Sequence, residues 1–241
     1  MFSKPLTVYW CNPYFNITAF EPDTALIDFS ERIKMMGDEN FHLSSSIKYC
    51  PVATSHLLHT FRVKSPTKYN IMWDGKDFHS QIGTQNLFDR SVIVRNQNAG
   101  LLTFQFGGML MFTEEASLMV EQRQASYSIS DFTINTSVLE GAFDIGGWFR
   151  SFDCVFFINH QNKYINIEAG DSLYYLKFFT DRKIKFVKFN PAQEIMNIMS
   201  NLSESRNPAV RKKSLDYYYN LLLRSHYKKH IIKLIKQNIL E

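Results

Sequence analysis

The spacing of apolar positions along this chain changes twice. From about Leu57 to Phe189 they fall in short runs rich in Val, Ile, Phe and Tyr, separated by turn residues. The alternation is clearest in Lys183-Ile-Lys-Phe-Val-Lys-Phe189, where Lys183 and Lys185 mark a wet side and Lys188 breaks the register. Successive side chains of a strand point to opposite faces, so such runs predict strands. The candidates are Leu57–Lys64, Tyr69–Trp73, Ser91–Arg95, Leu101–Phe106, Met109–Thr113, Phe143–Phe149, Cys154–His160, Lys163–Glu168, Leu173–Phe179 and Lys183–Phe189, with Leu6–Cys11 ahead of them. Asn98-Ala-Gly100, Gly107-Gly108, His160-Gln-Asn162, Ala169-Gly-Asp171 and Asp181-Arg182 supply turns between them. This many short strands predicts an antiparallel β-sandwich or jelly roll. Strands and helices do not alternate, so a parallel α/β sheet is not expected.

Before and after this region the spacing is helical. Leu26, Phe29, Ile33 and Met36 recur at three and four residues, with Pro22 as a candidate first residue and Gly37 as a stop. Asn190-Pro191 ends the sheet region, and Ile195, Ile198, Met199 and Leu202 form the next stripe. Pro208 is placed to open a further helix with Tyr218, Leu221 and Leu222 on one face; Ile231, Leu234, Ile235 and Ile239 mark a later face. Arg224-Ser-His-Tyr-Lys-Lys-His230 reads as a polar interruption between them. The expected organisation is a mainly β domain over residues 1–190 with one early helix, then a helical extension over 191–241.

Charge separates the same two parts. The 34 residues from Pro208 to Glu241 hold Arg211, Lys212, Lys213, Arg224, Lys228, Lys229, Lys233 and Lys236 against Asp216 and Glu241. The remainder has 19 basic and 21 acidic residues, so an extension of +6 follows a body of −2. Those eight cations, with Tyr218, are the candidate partner-binding residues. Lys and Arg beside tyrosines suit phosphate backbones. Ile231 to Leu240 also offers more apolar area than one helix face needs, which suits a protein groove. A solvated helix face is the bland reading of the same residues.

No His-x-Asp, His-x-Glu or His-x-His lies on any run, so the metal constellations of jelly-roll oxygenases and cupins are not expected, and no cofactor is. Phosphate-binding glycine loops and the nucleophile elbow Gly-x-Ser-x-Gly are missing. Cys11, Cys50 and Cys154 have no metal spacing and read as free thiols in a reducing compartment. Asp144, Asp153, Glu168, Asp171 and Asp181 fall near strand ends, where carboxylates most often shape turns. The most unusual run is Phe143-Asp-Ile-Gly-Gly-Trp-Phe-Arg150. Its glycines permit a bulge or close backbone approach, and Trp148 and Phe149 must diverge if the run is extended. Trp148, Arg150, His160 and Asp171 are therefore the candidate groove residues.

No window approaches the roughly 18–20 apolar residues that span a bilayer, and the N-terminus lacks a secretory pattern. Four stretches together resemble an uncharacterised family of tailed phages, especially contractile-tailed phages of marine bacteria: Cys50-Pro51-Val52, Ser65-Pro-Thr-Lys-Tyr69, Phe143 to Arg150, and Gly170-Asp-Ser-Leu-Tyr-Tyr-Leu-Lys-Phe178. The resemblance spans about Tyr9 to Phe189 and implies a jelly-roll-like protein of the host cytoplasm or the virion, with no activity to carry over. Many Phe, Tyr, Asn, Ile and Lys with little Ala fit an A/T-rich phage genome. Gly170-Asp171 is also similar to a turn of cupin-like jelly rolls. The expected function is a non-enzymatic viral structural or accessory protein that assembles through its basic helices with a protein partner or with itself. A jelly-roll enzyme acting on a sugar or nucleotide, and a nucleic-acid-binding protein, are the alternatives; no membrane partner is expected.

Overall fold

Strand β1 (Leu6–Cys11) turns Leu6, Val8 and Trp10 to one side and Tyr9 and Cys11 to the other, and both sides are buried. A strand apolar on both faces needs cover on both, and that requirement organises the chain. The computed structural model describes residues 4–14, 19–35, 50–81, 85–204, 214, 217, 220, 221 and 223–240. In chain order β1 is followed by β2 (Phe20–Thr24), α1 (Leu26–Met35), α2 (Pro51–Leu57), β3 (Thr60–Lys64), β4 (Tyr69–Trp73), β5 (Phe78–Ser80) and α3 (Gln85–Ser91). Next come β6 (Val92–Asn96), β7 (Leu101–Phe104), β8 (Leu110–Thr113), β9 (Met119–Gln124), α4 (Asp131–Asn135), β10 (Thr136–Val138) and β11 (Gly141–Asp144). The series ends with β12 (Val155–Ile158), β13 (Ile165–Ile167), β14 (Ser172–Phe178), β15 (Ile184–Lys188), α5 (Gln193–Glu204) and α6 (Ser225–Gln237).

The described strands form sheets ordered β15-β1-β8, β10-β12-β7-β6, β11-β9-β14-β3-β2 and β13-β4-β5. The protein is thus mainly β with helices, and nearly all its pairings are antiparallel. One is not: β1 runs parallel to β15, in register from Leu6–Ile184 to Trp10–Lys188. The two strands lie at opposite ends of the sheet region, so no βαβ crossover announces the pairing in sequence. All four sheets contribute to one aromatic interior, where Phe104 packs on Tyr69, Phe106, Phe132 and Phe156. On the far side of the β15-β1-β8 sheet, Tyr9, Cys11, Leu110 and Phe112 meet Ile195 and Met199 of α5 and Ile231, Ile232 and Ile235 of α6. A third cluster seats Phe29 and Ile33 of α1 and Leu57 of α2 on Tyr175 of β14.

Tyr69–Trp73, Leu6–Cys11 and the α5 stripe appear as their patterns predict. Several boundaries are corrected. Pro22 does not open a helix: it lies in β2, an edge strand, where a missing N–H costs no ladder bond, and α1 starts at Leu26. The first residues of Leu57–Lys64 belong to the end of α2 and its turn, with Pro51 near the N-terminus of that helix. Phe143–Phe149 is not one strand, because β11 stops at Asp144 and a turn follows. The interruption read at Arg224 to His230 is confined to Arg224, which is extended at a bend between helical residues; α6 begins at Ser225 and runs through the rest. Strand β9 has no apolar alternation to betray it, since Glu121-Gln-Arg-Gln124 reads as polar while Gln122 is buried. Met36, Gly37, Pro208, Arg211, Lys212, Lys213, Tyr218 and Leu222 lie outside the described residues.

Candidate partner-binding site

The turn after β11 shapes one wall of a cavity. Asp144 Oδ1 accepts the N–H groups of Gly146 (2.8 Å) and Leu118 (2.7 Å), and the Asp144 carbonyl accepts from Gly147 (3.2 Å). Gly146 is required for steric reasons: a Cβ there would sit 2.8 Å from the carbonyl oxygens of Glu115 and Ala116. Beyond the turn the two aromatics diverge. Phe149 is buried edge-on against Phe112, with ring centroids 4.9 Å apart, while half-buried Trp148 carries the Arg150 guanidinium 3.6 Å above its ring.

Trp148 and Arg150 line a cavity of about 520 Å³ together with Phe143, Phe152, Met119 and Leu223. Phe143 and Phe152 meet at 4.3 Å across it. Its carboxylates are already engaged: Asp144 in the turn, and Asp153 with Arg95 at 2.5 Å. Gln122 of β9 also lines it. This side chain reaches the Tyr174 hydroxyl, and its hydrogen bond slightly opposes the upward push of burial on that phenol.

The groove predicted from sequence is therefore assembled in part. Trp148 and Arg150 come together; His160 and Asp171 are elsewhere. His160 is exposed in the turn after β12. Asp171 accepts the Glu168 N–H (2.9 Å) beside β14, and burial pushes its carboxyl above the usual range. Phe143 opens the run already singled out in the sequence, whereas Gln122 and Phe152, which complete the cavity, carry no local signal because they converge from β9 and the segment after Arg150.

The second candidate surface is α6. Its apolar side is packed on the β15-β1-β8 sheet, and its cations divide into two kinds. Lys228 donates to the carbonyls of Glu115 and Gly146 (2.8 Å to the latter) and lies over the Phe112 ring; burial lowers its pKa. Lys236 meets Glu114 Oε1 at 2.8 Å, where Tyr9 also donates (2.7 Å), and these bonds hold the Glu114 carboxyl below its ordinary value. Arg224, Lys229 and Lys233 are exposed, and Lys229 and Lys233 make no ion pair among the described residues. A concavity of about 430 Å³ lies between Glu114 and Lys228, Lys229, Ile232 and Lys236.

Among the described residues no three His, Cys, Asp or Glu side chains are grouped to hold a metal ion, and no helix is long and apolar enough to cross a membrane. His79 Nε2 lies 2.7 Å from Asp74 and His230 Nε2 lies 3.0 Å from Glu194. Cys11 and Cys154 are buried, and burial drives both thiols well above their ordinary pKa; Cys50 is half-buried. Titration of the native protein with an aromatic disulfide should therefore show one fast thiol, Cys50, and two that react only on unfolding. Three fast thiols would contradict the packing around Cys11 and Cys154.

No protein-family model and no curated protein matches the chain.

Proposed function

We propose that this protein is a non-enzymatic structural or accessory component of a virus, built on an antiparallel β-sandwich or jelly roll, that docks a protein partner through the solvent side of its basic C-terminal helices. The resemblance to tailed-phage proteins supplies the setting. One observation carries the reading: α6 is anchored by Ile231, Ile232 and Ile235 while Lys229 and Lys233 face water beside exposed Arg224. An anchored helix presents its charges already ordered, which lowers the entropic cost of binding an anionic surface. The body before Pro208 carries 21 acids against 19 bases, so a second copy of the chain is a suitable anionic partner.

The double variant Lys229→Glu/Lys233→Glu tests this without touching the buried face. Light scattering of the full chain at about 0.05 M salt, where surface charges are least screened, should give a mass above the 28.2 kDa monomer. The double variant should return it to the monomer. Equal masses for the two proteins would overturn the reading. Tight binding of duplex DNA that weakens steeply with salt, and is lost in the variant, would assign the surface to nucleic acid instead.

A further inference from the structure

Helix α2 has seven residues, and helices this short are not stable in water by themselves. Its attachment to the sheet is narrow. Leu57 is its one buried residue, seated with Phe29 and Ile33 of α1 against Tyr175 of β14. The exposed His56 ring stands edge-on to Tyr127, with centroids 6.5 Å apart. The last carbonyls of the helix are held from β14: Lys177 Nζ donates to those of Ser55 (3.3 Å), His56 (3.0 Å) and Leu58. His59 follows at φ 54°, in the left-handed region that a non-glycine residue keeps only where its surroundings hold it. Its carbonyl accepts the Phe178 N–H (2.9 Å), so the chain enters β3 with the corner tied to β14 on both sides of the bend.

The same corner gathers charge. Arg123 of β9 and Lys177 of β14 act on His56, and Lys177 acts on His59. The anions that face the two imidazoles are Glu121 of β9 and Asp181 in the turn after β14. Glu121 is already paired with Arg123, which leaves little to offset a further positive charge. A proton on either ring therefore meets Lys177 at the point where Lys177 secures the helix.

We propose that the α2–β3 corner is an acid-sensitive release: protonation of His56 and His59 repels Lys177 and Arg123, and α2 lifts Leu57 from its seat on Tyr175 and Phe29. Partial burial, then Arg123 and Lys177, lower the His56 imidazole below its ordinary 6.5; partial burial, then Lys177, do the same at His59. Release hydrates both rings and separates them from the cations, so the released form takes up protons at a higher pH than the packed form. Above neutrality both forms carry neutral imidazoles and the packing is undisturbed. As pH falls through 6.5 the released form gains. Asp171, at the opposite end of β14, also has its carboxyl raised by burial, but it acts on neither imidazole. None of these residues belongs to the α6 face.

Hydrogen exchange on the full chain, corrected for the intrinsic pH dependence of amides, tests the release. The Thr54 and Leu58 amides close α2 on the carbonyls of Cys50 (3.0 Å) and Thr54 (2.9 Å). Their protection should fall about threefold or more between about pH 7.5 and about pH 5.5, while Ile158 of β12 keeps its protection. In the double variant His56→Gln/His59→Asn the loss should disappear; asparagine tolerates the left-handed backbone at position 59. An equal loss in the double variant, or no loss in the wild-type chain, would overturn the proposal. Should the double variant fail to fold, the imidazole resonances of the wild-type protein decide: both midpoints below 6.5 support the release, and either one at or above 6.5 rejects it.

Discussion

Replacing Asp28 with alanine should destabilise the protein by about 3–5 kcal/mol, the usual cost of removing one partner from a buried ion pair. Asp28 is an acidic residue in the first turn of α1, 4% exposed, on the side of the helix that faces β14. Its Oδ2 accepts from Ser172 Oγ (2.6 Å) and the Tyr175 hydroxyl (2.7 Å), and Oδ1 lies 3.3 Å from Arg62 Nε. Arg62 in turn donates to Ser172 Oγ (2.9 Å) and the Gly170 carbonyl (3.1 Å). The alanine leaves a guanidinium and two hydroxyls without their shared acceptor in a poorly hydrated place. For a chain of this size the melting temperature should fall by roughly 6–20 °C. Arg62→Met in the same chain should recover part of the loss, since an apolar replacement of both charges avoids a buried unpaired cation. A loss below about 1 kcal/mol for Asp28→Ala would mean that this network does not hold α1 to the sheet.

The second large effect concerns the C-terminal helix. Ile235→Ala should cost about 2–5 kcal/mol, the range for truncating a buried isoleucine. Ile235 is fully buried with Ile231 against Tyr9, Phe112 and Phe189, so α6 is part of a core and not an appendage. Lys233→Ala, on the exposed side of the same helix, should stay within about 0.5 kcal/mol. Urea unfolding measures both, and the Cys11 thiol supplies a local readout, because it lies in the same cluster and should react faster in Ile235→Ala. Equal stability of the two variants would place α6 outside the core. The same packing explains why deleting the whole C-terminal segment is a poor test of assembly: it would uncover Tyr9, Leu110 and Phe112 along with the lysines.

Much of the β architecture was legible in the chain, because alternation is a local signal. Tyr69–Trp73, Leu173–Phe179 and Lys183–Phe189 each coincide with a strand or overlap one within a residue or so. The failures have physical causes. β9 buries Gln122 where a pattern reader expects an apolar residue, so it reads as polar. Pro22 reads as a helix start, yet an edge strand tolerates it equally well. Arg224–His230 reads as solvated, but Lys228 reaches across the Phe112 ring to two carbonyls, and its stem can cover apolar surface. At the candidate site, Gly146-Gly147 and Trp148 were visible as an unusual run. Their partnership with Phe152 and Gln122 was not, and His160 and Asp171 point elsewhere.

By itself the sequence determined many of the extended segments, the recurrence of the helical stripes, and that net positive charge collects after Pro208. These follow from spacings of two to four residues and from composition, which need no knowledge of what lies opposite. Only the tertiary structure decided that β1 pairs parallel to β15, that α6 covers the far side of their sheet, and that β11 is left as an edge beside an aromatic cavity. The first two depend on contacts between residues a hundred or more positions apart, and the third on residues that converge from separate strands. Many strand orders satisfy the same local pattern, and packing selects among them.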